Sequence, residues 1–265
     1  FFKQKTAYEI YQCDWSSDVC SSDLHALKVL NSFSDSMVIY ANIPLNLPVH
    51  RLNSALNEAD SEALSKGFKL PIMEHFFSIQ GEGYHTGSAA LFLRIGGCDV
   101  GCHWCDVKES WNAQLHPLWS VDEWISSVSA LPVKQVVVTG GEPLLYNLEY
   151  LTQQLNQKGY KLHLETSGAY PLVGKWDWIC VSPKKYKAPV SEIMNYAHEL
   201  KVIIHNRNDF EWARKQALRV SSACKLYVQP EWSKFEALVA DLVEFVQNEP
   251  QWTISLQTHK FMRIP

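Results

Sequence analysis

The 265-residue chain is 46% hydrophobic and 20% charged, with 24 Lys and Arg against 28 Asp and Glu. That balance is too apolar for disorder and too broken by charge for a membrane span, and a formal charge of −4 gives no reason to expect a nucleic-acid partner. Three of the seven cysteines crowd into residues 98–105, which reads as a metal or cluster site in a reducing, cytoplasmic setting.

In chain order, residues 1–24 show neither helical nor strand periodicity. Asp14 to Leu24 (DWSSDVCSSDL) resembles translated sequencing-adapter DNA, and Lys3 to Ile10 (KQKTAYEI) resembles a translated flow-cell primer. A secretory signal would need a continuous apolar core, which is lacking. Setting this stretch aside removes Cys13 and Cys20 and moves the formal charge halfway to zero. We therefore expect residues 1–36 to be an artefact or an undetermined segment, with Met37 a candidate start. Residues 37–69 are expected to form an N-terminal extension, and 70–265 the domain.

Leu52 to Lys66 can form an amphipathic helix stopped by Gly67, and Met73 to Ile79 an extended segment leading into the turn QGEGYHTG. Ala90 to Ile95 is a buried strand ahead of a cysteine loop. Val121 to Ala130 is a helix behind Ser120, with Glu123 completing a capping box. Strands follow at Gln135–Thr139, Lys161–Glu165, Trp176–Val181, Lys201–Ile204, Lys225–Val228 and Thr253–Leu256. Helices are expected at Tyr146–Lys158, Ser191–Glu199, Asp209–Ala217 and Lys234–Gln247. Short apolar strands alternating with amphipathic helices predict an α/β fold, a parallel sheet covered by helices. The count is near that of a complete barrel but the units are short, so the expectation is a partial, open β/α barrel of parallel strands in one domain. Functional residues should then lie in loops at the carboxyl ends of the strands.

The strongest chemical signal falls there. Cys98, Cys102 and Cys105 follow the strand ALFLRI directly. Three thiolates in one loop can hold three corners of a [4Fe–4S] cubane and leave one iron open. Zinc is the alternative, although it usually takes four ligands and His103 is poorly placed as the fourth. After the next strand comes Thr139-Gly140-Gly141-Glu142-Pro143, where glycines allow close backbone approach and a carboxylate can accept from an ammonium. Glu165-Thr166-Ser167 and Ser182-Pro183-Lys184 end two further strands.

The cysteine spacing and its neighbours resemble the radical S-adenosylmethionine (SAM) superfamily. More finely, Ile79-Gln80-Gly81-Glu82-Gly83, the phrase GGCDVGCHWCDVKESW (96–111), TGGEP, VSPK and Leu256-Gln-Thr-His-Lys260 are similar to the 7-carboxy-7-deazaguanine synthase family, from about Leu70 to Pro265. The resemblance implies a lyase that converts 6-carboxy-5,6,7,8-tetrahydropterin to 7-carboxy-7-deazaguanine with release of ammonia, on the route to queuosine and related deazapurines of tRNA. It implies a cluster on Cys98, Cys102 and Cys105. It also implies SAM contacts from Trp104, Cys105, Asp106, Gly140, Gly141, Glu142, Glu165, Thr166, Ser167, Ser182, Pro183 and Lys184. The pterin would meet Ile79, Gln80, Gly81, Glu82 and Thr139, with Arg94 pairing its carboxylate and Pro265 in reach. Mg2+ is implied too, but Val107 stands where the family usually has Thr or Ser, which leaves Asp106 as a candidate oxygen donor. A flavodoxin or ferredoxin electron donor and a homodimer also follow from the resemblance.

Two other readings compete: another radical SAM enzyme such as a glycyl-radical activase, and a non-catalytic zinc-binding module. Cys180, Cys224 and His163 read as core residues, Trp176 and Trp178 as packing on one face, and His75, His85 and His198 as unpartnered for metal.

Overall fold

The computed structural model describes residues 56–265, so the readings for residues 1–36 and the first part of the helix expected from Leu52 lie outside the described residues. The first described helix, α1 (Glu58–Ser65), starts where the Asn57 side chain accepts from the Asp60 N–H at 2.8 Å. It leads into β1 (Lys69–Ile79), which lies between β2 (Ala89–Ile95) and β3 (Leu118–Ser120) and runs antiparallel to both. From β2 the sheet continues in parallel through β4 (Gln135–Gly140), β5 (Lys161–Thr166), β6 (Trp178–Val181), β7 (Glu199–Ile204), β8 (Lys225–Pro230) and β9 (Trp252–Ile254). The order β3-β1-β2-β4-β5-β6-β7-β8-β9 leaves β3 and β9 as free edges, so the barrel is open.

The parallel expectation therefore holds from β2 onward and fails at β1. A parallel pair needs a crossover of roughly a dozen residues or more, and the link from Ile79 to Ala89 is shorter, so the chain doubles back.

Side-chain alternation sorts the strands into two faces. Leu91, Leu93, Ile95, Val136, Val138, Leu162 and Leu164 join the main core, against the helices. α2 (Val121–Val128) buries Val121, Trp124, Ile125 and Val128, one stripe at helical spacing. α3 (Glu149–Gln157) adds Leu151 and Leu155, and α6 (Phe235–Asn248) adds Leu238, Leu242 and Phe245. The alternate residues, beginning with Phe92 and Val137, form a separate small cluster with Ala90 and Phe76. Among the described residues no helix is long and apolar enough to cross a membrane.

Several boundaries differ for local reasons. Ser120 occupies the N-cap of α2 but its side chain makes no capping bond, because it closes β3 opposite Lys69. The helix expected from Tyr146 starts at Glu149, after a 3-10 turn over Pro143–Leu145 and an Asn147 side chain that accepts from the Glu149 N–H. α4 (Ser191–Met194) is only one turn, since His198 already bonds into the sheet: its N–H donates to Ile179 and its carbonyl accepts from Lys225. Glu199 thus belongs to β7. α5 (Asn208–Ala217) agrees with expectation, and the last strand, expected over Thr253–Leu256, runs over Trp252–Ile254 ahead of α7 (Thr258–Met262). Trp176 precedes β6 and packs on the main core, while Trp178 stacks on His198 and Tyr84, so the two do not share a face.

Candidate active site

The carboxyl ends of β2, β4, β5 and β6 deliver four loops to one rim, around a cavity of about 480 Å³. The loop after β2 carries Cys98, Cys102 and Cys105; all three are free thiols and all three line the cavity. The loop is pinned from below, where Gly97 and Cys98 donate to the Ser110 and Trp111 carbonyls. Tyr146 Oη donates to Gly96 O at 2.8 Å, and burial pushes its phenol up to about 12. Burial also raises the Cys98 and Cys102 thiols. Apolar packing against Val100, Ala169, Trp104 and Tyr170 explains that burial.

The loop after β4 is stitched to the cysteine loop: Gly141 N donates to Ile95 O at 2.9 Å and Glu142 N to Gly97 O at 2.8 Å. A Cβ at Gly141 would sit 2.2 Å from Gly97 O and 2.9 Å from the Cys98 Cβ, so only glycine lets the two loops approach. Glu142, however, does not face the cavity. It is 0% exposed and both its oxygens are occupied: Oε1 accepts from Leu144 N and Thr166 Oγ1, and Oε2 from Ser167 N and the Ser167 hydroxyl. The structure thus does not bring the Glu142 side chain to the cavity wall with the other expected SAM residues. With four donors already satisfied, Glu142 is a bracket that sets Thr166 and Ser167, which do line the cavity.

The remaining expected SAM residues divide similarly. Trp104, Cys105, Asp106, Gly140, Gly141, Glu165, Ser182 and Lys184 line the cavity. Lys184 Nζ donates to the Ser182 carbonyl and hydroxyl, both at 2.6 Å, and stands 5.7 Å from the Trp104 ring centroid; burial lowers its pKa. Pro183 instead faces a smaller neighbouring cavity of about 90 Å³.

On the pterin side, Ile79, Gln80, Gly81, Glu82, Arg94, Thr139 and Pro265 all line the same cavity. Arg94 also pairs with Glu74 across β1 and β2 at 2.7 Å, which fixes its stem. Gly81 lies against α7: a Cβ there would be 2.1 Å from His259 Nδ1, and Gly81 O accepts from Thr258 N at 2.9 Å. The QGEG and QTHK segments are therefore one packed corner. Gln257 Nε2 donates to Glu82 at 2.9 Å and approaches Asp106 at 3.4 Å, and Lys260 Nζ bonds Asp106 at 2.9 Å. Burial raises the Asp106 carboxyl, but Lys260 outweighs it and the net is a lowered pKa. Val107 lines the cavity without an oxygen to offer.

Sequence reasoning missed Lys201, whose ammonium pairs with Glu82 and lies 3.8 Å from Glu165 Oε2, and missed Gln229 on β8. The signal was present: Glu199 and Lys201 alternate within an otherwise apolar strand.

The donor set suits the cofactors of the superfamily. Among the described residues no three His, Cys, Asp or Glu side chains converge to hold a single ion. The three thiols instead border open volume, and a cubane is larger than an ion and takes each thiolate at a separate corner.

A model of the radical SAM superfamily matches residues 93–206. The chain is 56% identical over 203 residues to a 7-carboxy-7-deazaguanine synthase of Flavobacterium psychrophilum, covering 77% of this chain and 96% of the relative. Identity to the synthase of that name from Synechocystis sp. is 47%, over 77% of this chain and 97% of the relative. A crystal structure of QueE from Escherichia coli superposes with a TM-score of 0.65 at 26% identity, covering 76% of this chain and 99% of that one.

Proposed function

The chain belongs to the 7-carboxy-7-deazaguanine synthase family of the radical SAM superfamily, and we propose that the cavity at its strand ends is where 6-carboxy-5,6,7,8-tetrahydropterin loses ammonia to give 7-carboxy-7-deazaguanine. The protein is an enzyme, a radical SAM lyase of queuosine biosynthesis. The single observation that carries the site assignment is the meeting of three free thiols with the QGEG, ETS and SPK segments around one cavity.

Bound there, a [4Fe–4S] cluster and SAM would supply one-electron radical chemistry able to take hydrogen from an unactivated carbon of the substrate. Cys98, Cys102 and Cys105 would hold the cluster as thiolates. The backbone at Gly140 and Gly141 offers close approach to the methionine part of SAM. Glu165, Thr166, Ser167 and Ser182 offer acceptors and hydroxyls to its ribose and adenine side, and Trp104 and Lys184 close that wall. Arg94, with its Nε held by Glu74, presents its remaining guanidinium N–H groups to the pterin carboxylate. Gln80, Glu82 and Thr139 meet the edge of the heterocycle, and Pro265 borders it. Phe76, Phe92 and Trp111 supply apolar wall that excludes water.

Mg2+ belongs to the proposal only through substrate oxygens, waters and Asp106, since Val107 has no donor. A flavodoxin or ferredoxin as electron donor, a homodimer and a cytoplasmic setting complete the reading, supported by the family resemblance and, for the setting, by the free thiols. Residues 70–265 are proposed as the catalytic unit.

The test is anaerobic reconstitution with iron and sulfide, then incubation with SAM, dithionite and carboxytetrahydropterin. Formation of the deazaguanine is the expected result. SAM cleavage without that product would sink the substrate assignment and leave the superfamily intact.

A further inference from the structure

Lys201 sits in β7 with its side chain 5% exposed, on the wall of the cavity. Its ammonium pairs with Glu82 Oε2, in the turn between β1 and β2, and lies 3.8 Å from Glu165 Oε2, at the end of β5. Gln80 closes the circuit: its Nε2 donates to Glu165 Oε1 at 2.9 Å, and its Oε1 accepts from Glu82 N at 3.1 Å. Gln257 then occupies the other oxygen of Glu82 at 2.9 Å. Glu82 and Glu165 both line the cavity, and the Lys201 ammonium stands between them.

We propose that Lys201 is a positioning residue that fixes the pterin-facing Glu82 and the SAM-facing Glu165 together, so that a single buried ammonium sets the geometry of both subsites. The inference rests on the reading of the cavity as a joint SAM and pterin site.

A role in stability alone is a poor account of this lysine. An apolar side chain of similar volume generally serves a core as well as or better than a buried ion pair, because desolvation offsets the attraction. A carboxylate that must accept hydrogen bonds from a ligand away from water has a different need. It must stay ionised and stay aimed, and an adjacent fixed cation does both. Burial pushes the Glu82 carboxyl up, yet the charge and hydrogen bond of Lys201 bring it down to about 2. Burial would lower the Lys201 ammonium, but the charge of Glu165, followed by that of Glu82, holds it well above its usual range.

The test uses anaerobically reconstituted holoenzyme as wild type, Lys201→Met, Lys201→Arg and the double variant Lys201→Met with Glu82→Gln. SAM affinity is read by equilibrium dialysis without reductant, pterin KM by turnover, and stability by thermal melting. Lys201→Met is expected to weaken SAM and to raise pterin KM, each by about ten-fold or more, while Lys201→Arg recovers most of both. The double variant removes the carboxylate left unpaired, so its melting temperature should return toward wild type while SAM affinity stays weak, since Glu165 still lacks its cation. SAM affinity that recovers together with stability would overturn the proposal, as would a Lys201→Met enzyme that melts early but binds both ligands normally. If Lys201→Met alone does not fold, the double variant and Lys201→Arg carry the comparison. Wild-type enzyme that makes no deazaguanine would sink the substrate reading instead, and the SAM dialysis would still decide the role of Lys201.

Discussion

Glu142 shows how much one buried side chain can set in the loops around it. Its two oxygens collect four donors from Leu144, Thr166 and Ser167 in a site with no access to water. Removing an acceptor of that kind leaves buried N–H and O–H groups unpaired, which costs about 1–3 kcal/mol for each group that finds no substitute. Glu142→Ala is therefore expected to lower unfolding free energy by about 3 kcal/mol, read in urea titrations. It should also weaken SAM binding, because Thr166 and Ser167 lose their anchor. Glu142→Ala with normal stability and normal SAM affinity would show that the bracket has no consequence. Val107 is the converse case, a side chain notable for what it lacks. Introducing a hydroxyl by Val107→Thr adds a hard oxygen donor beside Asp106, so the Mg2+ concentration giving half-maximal turnover should fall several-fold. Unchanged magnesium dependence would remove position 107 from any metal role.

At the scale of elements, the period of two along each strand decides which groups reach the cavity and which lie beneath it. On β5, His163 shares a face with Glu165 but one step lower, where it is 7% exposed and 4.3 Å from the His85 ring. Burial, with the nearby His85 adding to it, lowers the His163 pKa to about 4. A histidine whose folded pKa lies below its unfolded value of about 6.5 binds its proton more readily once unfolded. Its contribution is thus intact above about pH 6.5 and is lost as pH falls toward 4, by about 2–3 kcal/mol in all. Urea unfolding of the metal-free chain across that window should show the loss, and His163→Leu should flatten it; an unaltered slope in that variant would place the pH dependence elsewhere.

The same alternation explains what was legible in the sequence. Continuous apolar strands ending in Cys, Gly-Gly-Glu and Ser-Pro-Lys segments locate the rim, since in a parallel sheet the strand ends fix where loops emerge. The direction of β1 was not legible from its residues, because an extended segment reads alike in either orientation and only the short link to β2 decides it. Lys201 was hidden for a different reason. Reading Ser191 to Glu199 as one helix broke the alternation that pairs Glu199 with Lys201 on the inner face of β7. Glu142 was placed on the rim correctly, but no local pattern told that its carboxylate turns inward.

For the whole molecule, the important fact is that the cavity walls come from both ends of the sheet. Arg94 and Cys98 stand at the β2 side, Lys201 and Gln229 at the β7 and β8 side, and Gln257 and His259 in the corner made by α7. Both edges of the barrel are free, so no strand pairing joins those walls directly. Ligands filling the cavity therefore bind only when the whole arc is assembled, and their binding energy adds to folding energy. SAM at a hundred times its Kd should raise the unfolding free energy of the reconstituted enzyme by about 2.7 kcal/mol, equivalent to a rise in Tm of roughly 5–10 °C for a chain of this size. Cys98→Ala removes one of the three thiolates that would hold the cluster, so the cluster and the open iron that SAM would meet are lost together, and most of that shift should vanish. A Cys98→Ala protein that SAM stabilises as strongly as wild type would mean that SAM is held without the cluster, and that the three thiols serve something else.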